Sequence, residues 1–282
     1  LGVLNMRCEP TNVPPIGEID IRAMRDKYRH ERDRRLRAEG QAQYVEPVER
    51  FLEAYESDPH MPVQPREAIV EEIDVAVLGA GFCGMLTSIQ LKAAGITSFR
   101  NIDWAGDWGG CWYWNRYPGV QCDNDAYCYL PLLEETGHLP KQKFEDGWDI
   151  YQHCVRIATH YDLYGNAIFH TLITALRWDE SIKRWRISTN RGDDIRARFV
   201  VMAGGPLNKP KLPGIPGLND FKGKIFHTAR WEYQYTGGSG DNPVLDKLAD
   251  KRVAIIGTGA TAVQVIPFLG KYAKQTYVIQ RT

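Results

Sequence analysis

The sequence predicts an α/β protein built on two strand–glycine–helix units, with a charged helical segment in front of them. Three observations carry this. "IDVAVLGAGFCG" at 73–84 joins a β-branched run to a glycine turn that opens a helical pattern, and "RVAIIGTGATAVQVI" at 252–266 repeats the arrangement. Residues 1–68, by contrast, are rich in charge and hold no glycine-rich motif.

Glu18 to Glu39 reads as a helix, with Ile21, Met24, Tyr28 and Leu36 near one face. The other face carries Arg22, Arg25, Arg29, Arg32 and Arg35 interleaved with acids. That pattern describes a solvated face, and the acids argue against a mitochondrial transit peptide. A second short helix is expected over Val48 to Tyr55, and "SDPHMPVQP" at 57–65 reads as a linker. Ile73 to Leu78 is a buried strand, followed by a helix from Met85 to Ala94 that Gly95 closes. Phe99 to Ile102 is the next strand. "AIFHTLITAL" and "RWRIST" are expected as strands joined by the turn "DESIK", and "FVVMAGG" at 199–205 as another buried strand. "NKPKLPGIPG" reads as a proline-rich crossover. In the second unit Pro267 should kink or shorten the helix, and "TYVIQ" is the last strand. The expected domains are therefore 1–68, 69–207 and 208–282. One helix and two strands do not close a sheet, so the chain reads as the N-terminal part of a longer polypeptide.

Composition narrows the partners. Lys plus Arg and Asp plus Glu number 35 each, and this balance gives no sign of a nucleic-acid partner. The longest apolar runs are strand-sized, so no membrane span is expected. The six cysteines form no C-x-x-C pair and have no histidine at zinc-finger spacing. They read as reduced thiols of a cytoplasmic protein, with no metal site.

The glycine loops point to nucleotides. Gly79, Gly81 and Gly84, with Phe82 among them, follow a buried strand and open a helix. Missing side chains let the backbone approach a pyrophosphate, and the helix N-terminus supplies N–H groups and partial positive charge. About 20 residues past the last glycine, Asp103 ends the next strand, where an acid holds a ribose hydroxyl pair. The second loop, Gly257-Thr258-Gly259-Ala260-Thr261-Ala262, has Ala in the third place, where close helix–strand packing is the need. At the matching offset stands Arg281, followed by Thr282. A guanidinium there grips a 2′-phosphate that a carboxylate would repel. The two Rossmann-like domains thus carry opposite preferences, FAD in the first and NADPH in the second.

Behind the first unit comes "GGCWYWNRYPGVQCD", Gly109 to Asp123, with glycines for close approach, aromatics to exclude water and an acid at its end. This stretch resembles the G-G-x-W-x-x-x-R-[FY]-P-[GM]-x-x-x-D fingerprint of Baeyer–Villiger monooxygenases, with Gly109, Gly110, Trp112, Arg116, Tyr117, Pro118, Gly119 and Asp123 in register. A second motif of that family, F-x-G-x-x-x-H-x-x-x-W, is matched by Phe221, Gly223, His227 and Trp231, and departs from it at Glu232. The resemblance covers residues 70–282. The charged N-terminal segment is similar to an extension found in members that act on bulky cyclic ketones.

The resemblance implies a flavoprotein that NADPH reduces and that inserts one atom of O2 beside a ketone carbonyl, giving an ester or lactone. It implies that Cys111, Trp112, Tyr113 and Trp114 neighbour the flavin, that Tyr127 stands at the FAD, and that the Ile173 backbone meets the adenine. It brings Gln121 and Cys122 near the nicotinamide. It also gives Asp123 a catalytic role, orienting an arginine supplied from outside this sequence, so residues 1–282 alone are not expected to turn over. His227 is expected to be structural. Competing readings are an N- or S-oxygenating flavin monooxygenase, a flavin disulfide reductase, which needs a redox cysteine pair, and a truncated nucleotide-binding fragment without catalysis.

Overall fold

The computed structural model describes residues 17, 19–46, 52–207 and 210–280. The chain divides into two compact units, at Tyr44 and Val45. The smaller unit is built on α1, Ile21–Arg35. Asp20 caps it, accepting from the backbone N–H of Arg22 and Ala23 at 2.9 and 3.0 Å. The expected helix was longer, but Leu36 turns extended and donates its N–H to Arg32 O. No residue of α1 is buried, and the positions expected on an apolar face are exposed, Tyr28 by 74 %. Ion pairs such as Arg29–Asp26 and Arg34–Glu31 lace its surface.

In the larger unit a short helix, α2, spans Leu52–Glu56, and the earlier part of the helix expected from Val48 lies outside the described residues. A six-stranded sheet follows. Its strands are β1 (Val70–Leu78), β2 (Phe99–Ile102), β3 (Ala167–Ile168), β4 (Ile173–Asp179), β5 (Arg184–Thr189) and β6 (Asp194–Met202). Their order is β3-β2-β1-β6-β5-β4. The pairs β1–β2, β1–β6 and β2–β3 are parallel, while β5 pairs antiparallel with both β6 and β4. The centre of β1 is buried on both faces, which accounts for its unbroken run of Val, Ala and Leu. Helix α3, Phe82–Ala93, returns the chain from β1 to β2.

The stretch expected as one strand, "AIFHTLITAL", is two. The chain breaks at His170, which takes the left-handed conformation with φ +49°. Ala167–Ile168 stays on the parallel edge, and Ile173 begins a hairpin at the opposite side of the sheet. Three further helices shape the surroundings of the first glycine loop: α4 (Cys111–Trp114), α5 (Ala126–Tyr129) and α6 (Gly147–His160).

The second strand–glycine–helix segment also lies in the larger unit, as a parallel pair apart from that sheet, β7 (Arg252–Ile256) and β8 (Gln275–Ile279), joined by α7 (Ala260–Tyr272). Pro267 was expected to kink or shorten this helix, yet α7 runs five residues beyond it, to Tyr272. Pro267 and Val263, whose carbonyl loses its usual partner, both lie on the exposed side, where water can satisfy that oxygen.

The segment read as a linker is not free. The carboxylate of Asp58 is fully buried and bonded to Tyr113 and His170. Arg66 forks onto the buried Asp193 at 2.6 and 2.7 Å, tying the entry of β1 to the β5–β6 turn.

A pH dependence follows from His153, which is buried in α6 with Nε2 2.7 Å from Pro131 O. Burial, with His138 and Arg156 beside it, pulls its pKa down from 6.5 to about 4. The unfolded chain takes up this proton at higher pH than the folded one. The stabilisation is therefore complete above pH 6.5 and is lost as pH falls towards 4. A loss of about 2–3 kcal/mol is expected over that window, and His153→Gln should flatten it. Urea unfolding across the window checks this. Equal slopes for the wild type and the variant would contradict it.

Candidate cofactor and active site

The first glycine loop has the geometry its sequence implies. Gly79 has φ +127°, and a Cβ there would stand 2.4 Å from Ala203 O. A Cβ on Gly84 would stand 2.1 Å from Gly79 O, so the third glycine lets α3 seat on the end of β1. Buried Asn101 braces the turn. It accepts from Ser88 Oγ at 2.6 Å and directs Nδ2 at the carbonyls of Gly79 and Gly84. Gly81 is the N-cap of α3, and no side chain caps that helix. The first-turn N–H groups are left for a ligand, the arrangement that binds phosphate.

Asp103 directly follows the last residue of β2. Its carboxylate accepts from Ala80 N at 2.6 Å and Ala105 N at 2.8 Å, which ties the acid to the glycine loop. Burial pushes its pKa up against these backbone bonds.

The fingerprint meets this loop backbone to backbone. Gly109 donates to Ala80 O at 2.9 Å. Gly110 has φ +56°, and a Cβ there would lie 2.8 Å from Gly81 Cα. Just before it, buried Asp107 accepts from the hydroxyls of Tyr151 and Tyr164 at 2.8 and 3.0 Å. In α4, Trp112 donates from Nε1 to Tyr129 Oη at 2.9 Å, and the Tyr129 ring stands edge-on to Phe82. Tyr113 is completely buried, and Trp114 lies under the Arg230 guanidinium at 4.1 Å. The Arg116 guanidinium stacks over Tyr113 and Tyr151, and its Nε donates to Tyr113 O. Burial raises the pKa of Cys111 and of Cys122, so neither is an activated thiol.

Four further expected positions have the following surroundings. Asp123 is exposed and has no ion-pair partner among the described residues. Tyr127 is 50 % exposed and donates to Pro140 O, whereas Tyr129, the second tyrosine of "YCY", packs on Trp112 and Phe82. The resemblance points to Tyr127 alone, and only packing brings out Tyr129. Ile173 opens β4 opposite Thr189. Gln121 donates to Phe144 O and Asp146 Oδ1.

The second glycine loop is open. Gly257 has φ +108°, nothing crowds Gly257 or Gly259, and α7 begins at Gly259 without a side-chain cap. Thr258 and Ala260 are exposed, Thr261 is half-buried, and Ala262 is buried in the core beneath the helix. Arg281 and Thr282 lie outside the described residues.

The fingerprint also holds this second unit. Tyr117 donates from Oη to Gln264 Oε1 at 2.8 Å, and Gln264 Nε2 donates to Gln121 O at 2.9 Å. Gly119 has φ +79°, and a Cβ there would meet the Phe268 ring at 2.4 Å. Tyr117 and Val120 share an apolar cluster with Ile255, Ala262, Val265 and Leu269.

The second motif folds as a turn. The Phe221 ring covers Gly223, whose Cβ would meet it at 2.4 Å. His227 caps the turn Thr228–Arg230, its Nδ1 accepting from Ala229 N at 3.0 Å, and burial lowers its pKa. Trp231 donates to Thr236 Oγ1, and Tyr233 of the same segment donates to Arg116 O, so this motif and the fingerprint are bonded together.

Residues 73–282 match the pyridine nucleotide-disulphide oxidoreductase family. The chain belongs to that family. Within it the similarity is to Baeyer–Villiger monooxygenases. Neopentalenolactone D synthase of Streptomyces avermitilis is 50% identical over 265 residues, 94% of this chain and 44% of that protein. Baeyer-Villiger monooxygenase 4 of Dietzia sp. is 47% identical over 265 residues, 94% of this chain and 43% of its own length. The polycyclic ketone monooxygenase of Thermothelomyces thermophila superposes with a TM-score of 0.87 at 40% identity, over 93% of this chain and 44% of that one. A steroid monooxygenase solved with NADP gives 0.65 at 36% identity, over 75% of this chain and 39% of its own. The chain spans less than half the length of these relatives. Among the described residues no helix is long and apolar enough to cross a membrane.

The contact between fingerprint and α7 is open to a direct test. Gly119→Ala should cost about 1–3 kcal/mol, from the positive φ and from overpacking on Phe268. Tyr117→Phe should cost about 1 kcal/mol. Urea unfolding measures both. Stabilities within error of the wild type would show that the loop does not hold the helix.

Proposed function

We propose that the chain carries the two nucleotide sites of a Baeyer–Villiger monooxygenase that inserts one oxygen atom from O2 next to a ketone carbonyl, giving an ester or lactone. Bulky or cyclic ketones are the substrate class, and the cytoplasm is the place of action. The observation that carries this reading is that one loop touches both glycine-loop helices. Gly110 lies against Gly81 at the start of α3, and Tyr117 and Gly119 sit on Gln264 and Phe268 of α7. A ligand on each glycine loop would thereby flank one and the same aromatic-rich stretch, Gly109 to Asp123.

The residues present fit both groups. At the first loop, the crowding that any Cβ would cause at Gly79 and Gly84 and the uncapped start of α3 suit a pyrophosphate. Asp103 is placed for ribose hydroxyls, since each carboxylate oxygen retains a second lone pair beyond its backbone bond. Trp112, Tyr129 and Phe82 form an apolar wall that excludes water. Cys111, Tyr113 and Trp114 hold the backbone of that wall, and Tyr127 and Ile173 belong to the outer reach of the FAD site. At the second loop Gly257, Thr258, Gly259, Ala260, Thr261 and Ala262 offer an open helix N-terminus to the NADPH pyrophosphate, with Arg281 and Thr282 on the 2′-phosphate and Gln121 and Cys122 towards the nicotinamide. When bound, NADPH supplies the hydride and FAD the oxygen-activating ring. Asp123, exposed and without an ion-pair partner among the described residues, is free to fix a cationic side chain beside that ring. Arg116, His227 and Trp231 keep the two motifs in register.

The test is NADPH oxidation by the full-length protein loaded with FAD. A cyclic ketone should accelerate it and yield a lactone. Acceleration only by an amine or thioether would favour the N- or S-oxygenating alternative, and acceleration only by a disulfide would favour a reductase. Asp123→Ala should lower lactone yield at least tenfold while flavin content stays near the wild-type level, because the residue is exposed and supports no core packing. A wild-type yield in that variant would remove Asp123 from the mechanism.

Coenzyme choice tests the second loop. Arg281→Ala should raise KM for NADPH about ten- to a hundredfold, the worth of a charged hydrogen bond, and leave NADH nearly unchanged. Equal effects on the two coenzymes would show that Arg281 does not read the 2′-phosphate.

A further inference from the structure

One buried carboxylate outside both motifs is bonded to the loop that leads from β2 into the fingerprint. Asp58 stands in the segment before β1, and its side chain is fully buried. Oδ2 accepts from Tyr113 Oη at 2.5 Å, from Gly106 N at 3.1 Å, and lies 2.9 Å from His170 Nε2. Oδ1 accepts from His60 N at 2.8 Å and Met61 N at 3.3 Å, which fixes the carboxylate itself. Oδ2 and its two side-chain partners converge on Gly106. A Cβ there would meet His170 Nε2 at 2.5 Å, Tyr113 Oη at 2.7 Å and Asp58 Oδ2 at 2.8 Å. His170 adopts φ +49°, a conformation that a non-glycine residue holds only when its surroundings fix it.

We propose that Asp58 is a positioning residue of the flavin site, clamping the loop from Asp103 to Trp114 at Gly106 and at Tyr113 and locking the His170 turn against it. The inference rests on the functional reading above. It gives the segment before β1 a task that neither motif assigns.

The reasoning runs through the backbone. Tyr113 sits in α4, three residues beyond Gly110, the glycine that meets Gly81. Gly106 sits three residues beyond Asp103, the acid that holds Ala80 N. The clamp therefore grips the loop near each of its two contacts with the first glycine loop. Without the carboxylate, the buried Tyr113 hydroxyl and the Gly106 N–H lose their acceptor, and the loop must move to find another. A displaced α4 carries Trp112 and Gly110 with it. The effect should fall on flavin affinity and on the flavin's surroundings, beyond any effect on stability.

The experiment is an FAD titration of the full-length apoprotein, wild type against Asp58→Asn, Tyr113→Phe and the double variant. Melting of the FAD-free forms is recorded alongside. The account expects the Kd for FAD to rise about tenfold or more in each single variant, the size of one charged hydrogen bond. The absorption spectrum of the bound flavin should shift as well, and the double variant should bind no worse than Asp58→Asn alone. Should Asp58→Asn fail to fold, Tyr113→Phe and Gly106→Ala carry the comparison, since both leave the carboxylate in place. A wild type that binds FAD while folded variants bind it equally well, with unchanged spectra, overturns the clamp alone. So do losses that multiply in the double variant. A wild type that binds no FAD overturns the functional reading and the clamp together.

Discussion

A Cβ on Gly110 would stand 2.8 Å from the Cα of Gly81, so the fingerprint loop and the first glycine loop meet with no side chain between them. The rest of the site is arranged around that approach. It leaves the start of α3 uncapped and accessible. It places Gly109 N on Ala80 O, next to the bond from Ala80 N to Asp103. It also sets where α4 begins, and with it the positions of Trp112 and Tyr113. The two backbones can come this close only because neither residue has a side chain, and Gly110 also uses a positive φ that suits glycine.

Polar groups buried around the approach hold it from three sides. Asp107 binds two tyrosines from α6 and the turn after it, Asn101 braces the glycine carbonyls, and Asp58 takes the hydroxyl of Tyr113. Each is a buried acceptor or donor with its partners in place, the condition under which such groups specify one arrangement. The far end of the same loop is held differently. Tyr117, Gly119 and Val120 sit on α7 chiefly through apolar packing, with Gln264 adding one bond in each direction. The fingerprint thus meets the first glycine loop backbone to backbone and sits on α7 chiefly through apolar packing.

Much of this was legible in the sequence because it rests on local rules. Glycines at 79, 81 and 84 after a β-branched run could hardly make anything but a strand–turn–helix, and β2 lies where the pattern put it, while β1 begins three residues before the expected Ile73 and α3 three residues before the expected Met85, directly on the glycine loop. What was not legible depends on partners far along the chain. Asp58 reads as a linker residue because the partners of its Oδ2 are 48 to 112 positions away. The break at His170 carries no Gly, Pro or Asn to announce it, and it is enforced by Asp58 and Ala105. Tyr129 and Tyr127 are alike in sequence, and only the position of Trp112 makes the former part of the wall. Pro267 is tolerated inside α7 because solvent, invisible in a pattern of letters, lies on that side.

The central claim is that backbone contact between Gly81 and Gly110 builds the flavin site. The most direct measurement is the flavin content of full-length protein purified with Gly110→Ala, beside the wild type. The added methyl has no room between the two loops, and alanine resists φ +56°. The account predicts a folded protein that retains less than about a tenth of the wild-type flavin, a shift of roughly 1.4 kcal/mol or more in binding. Full flavin content in a folded Gly110→Ala protein would contradict it.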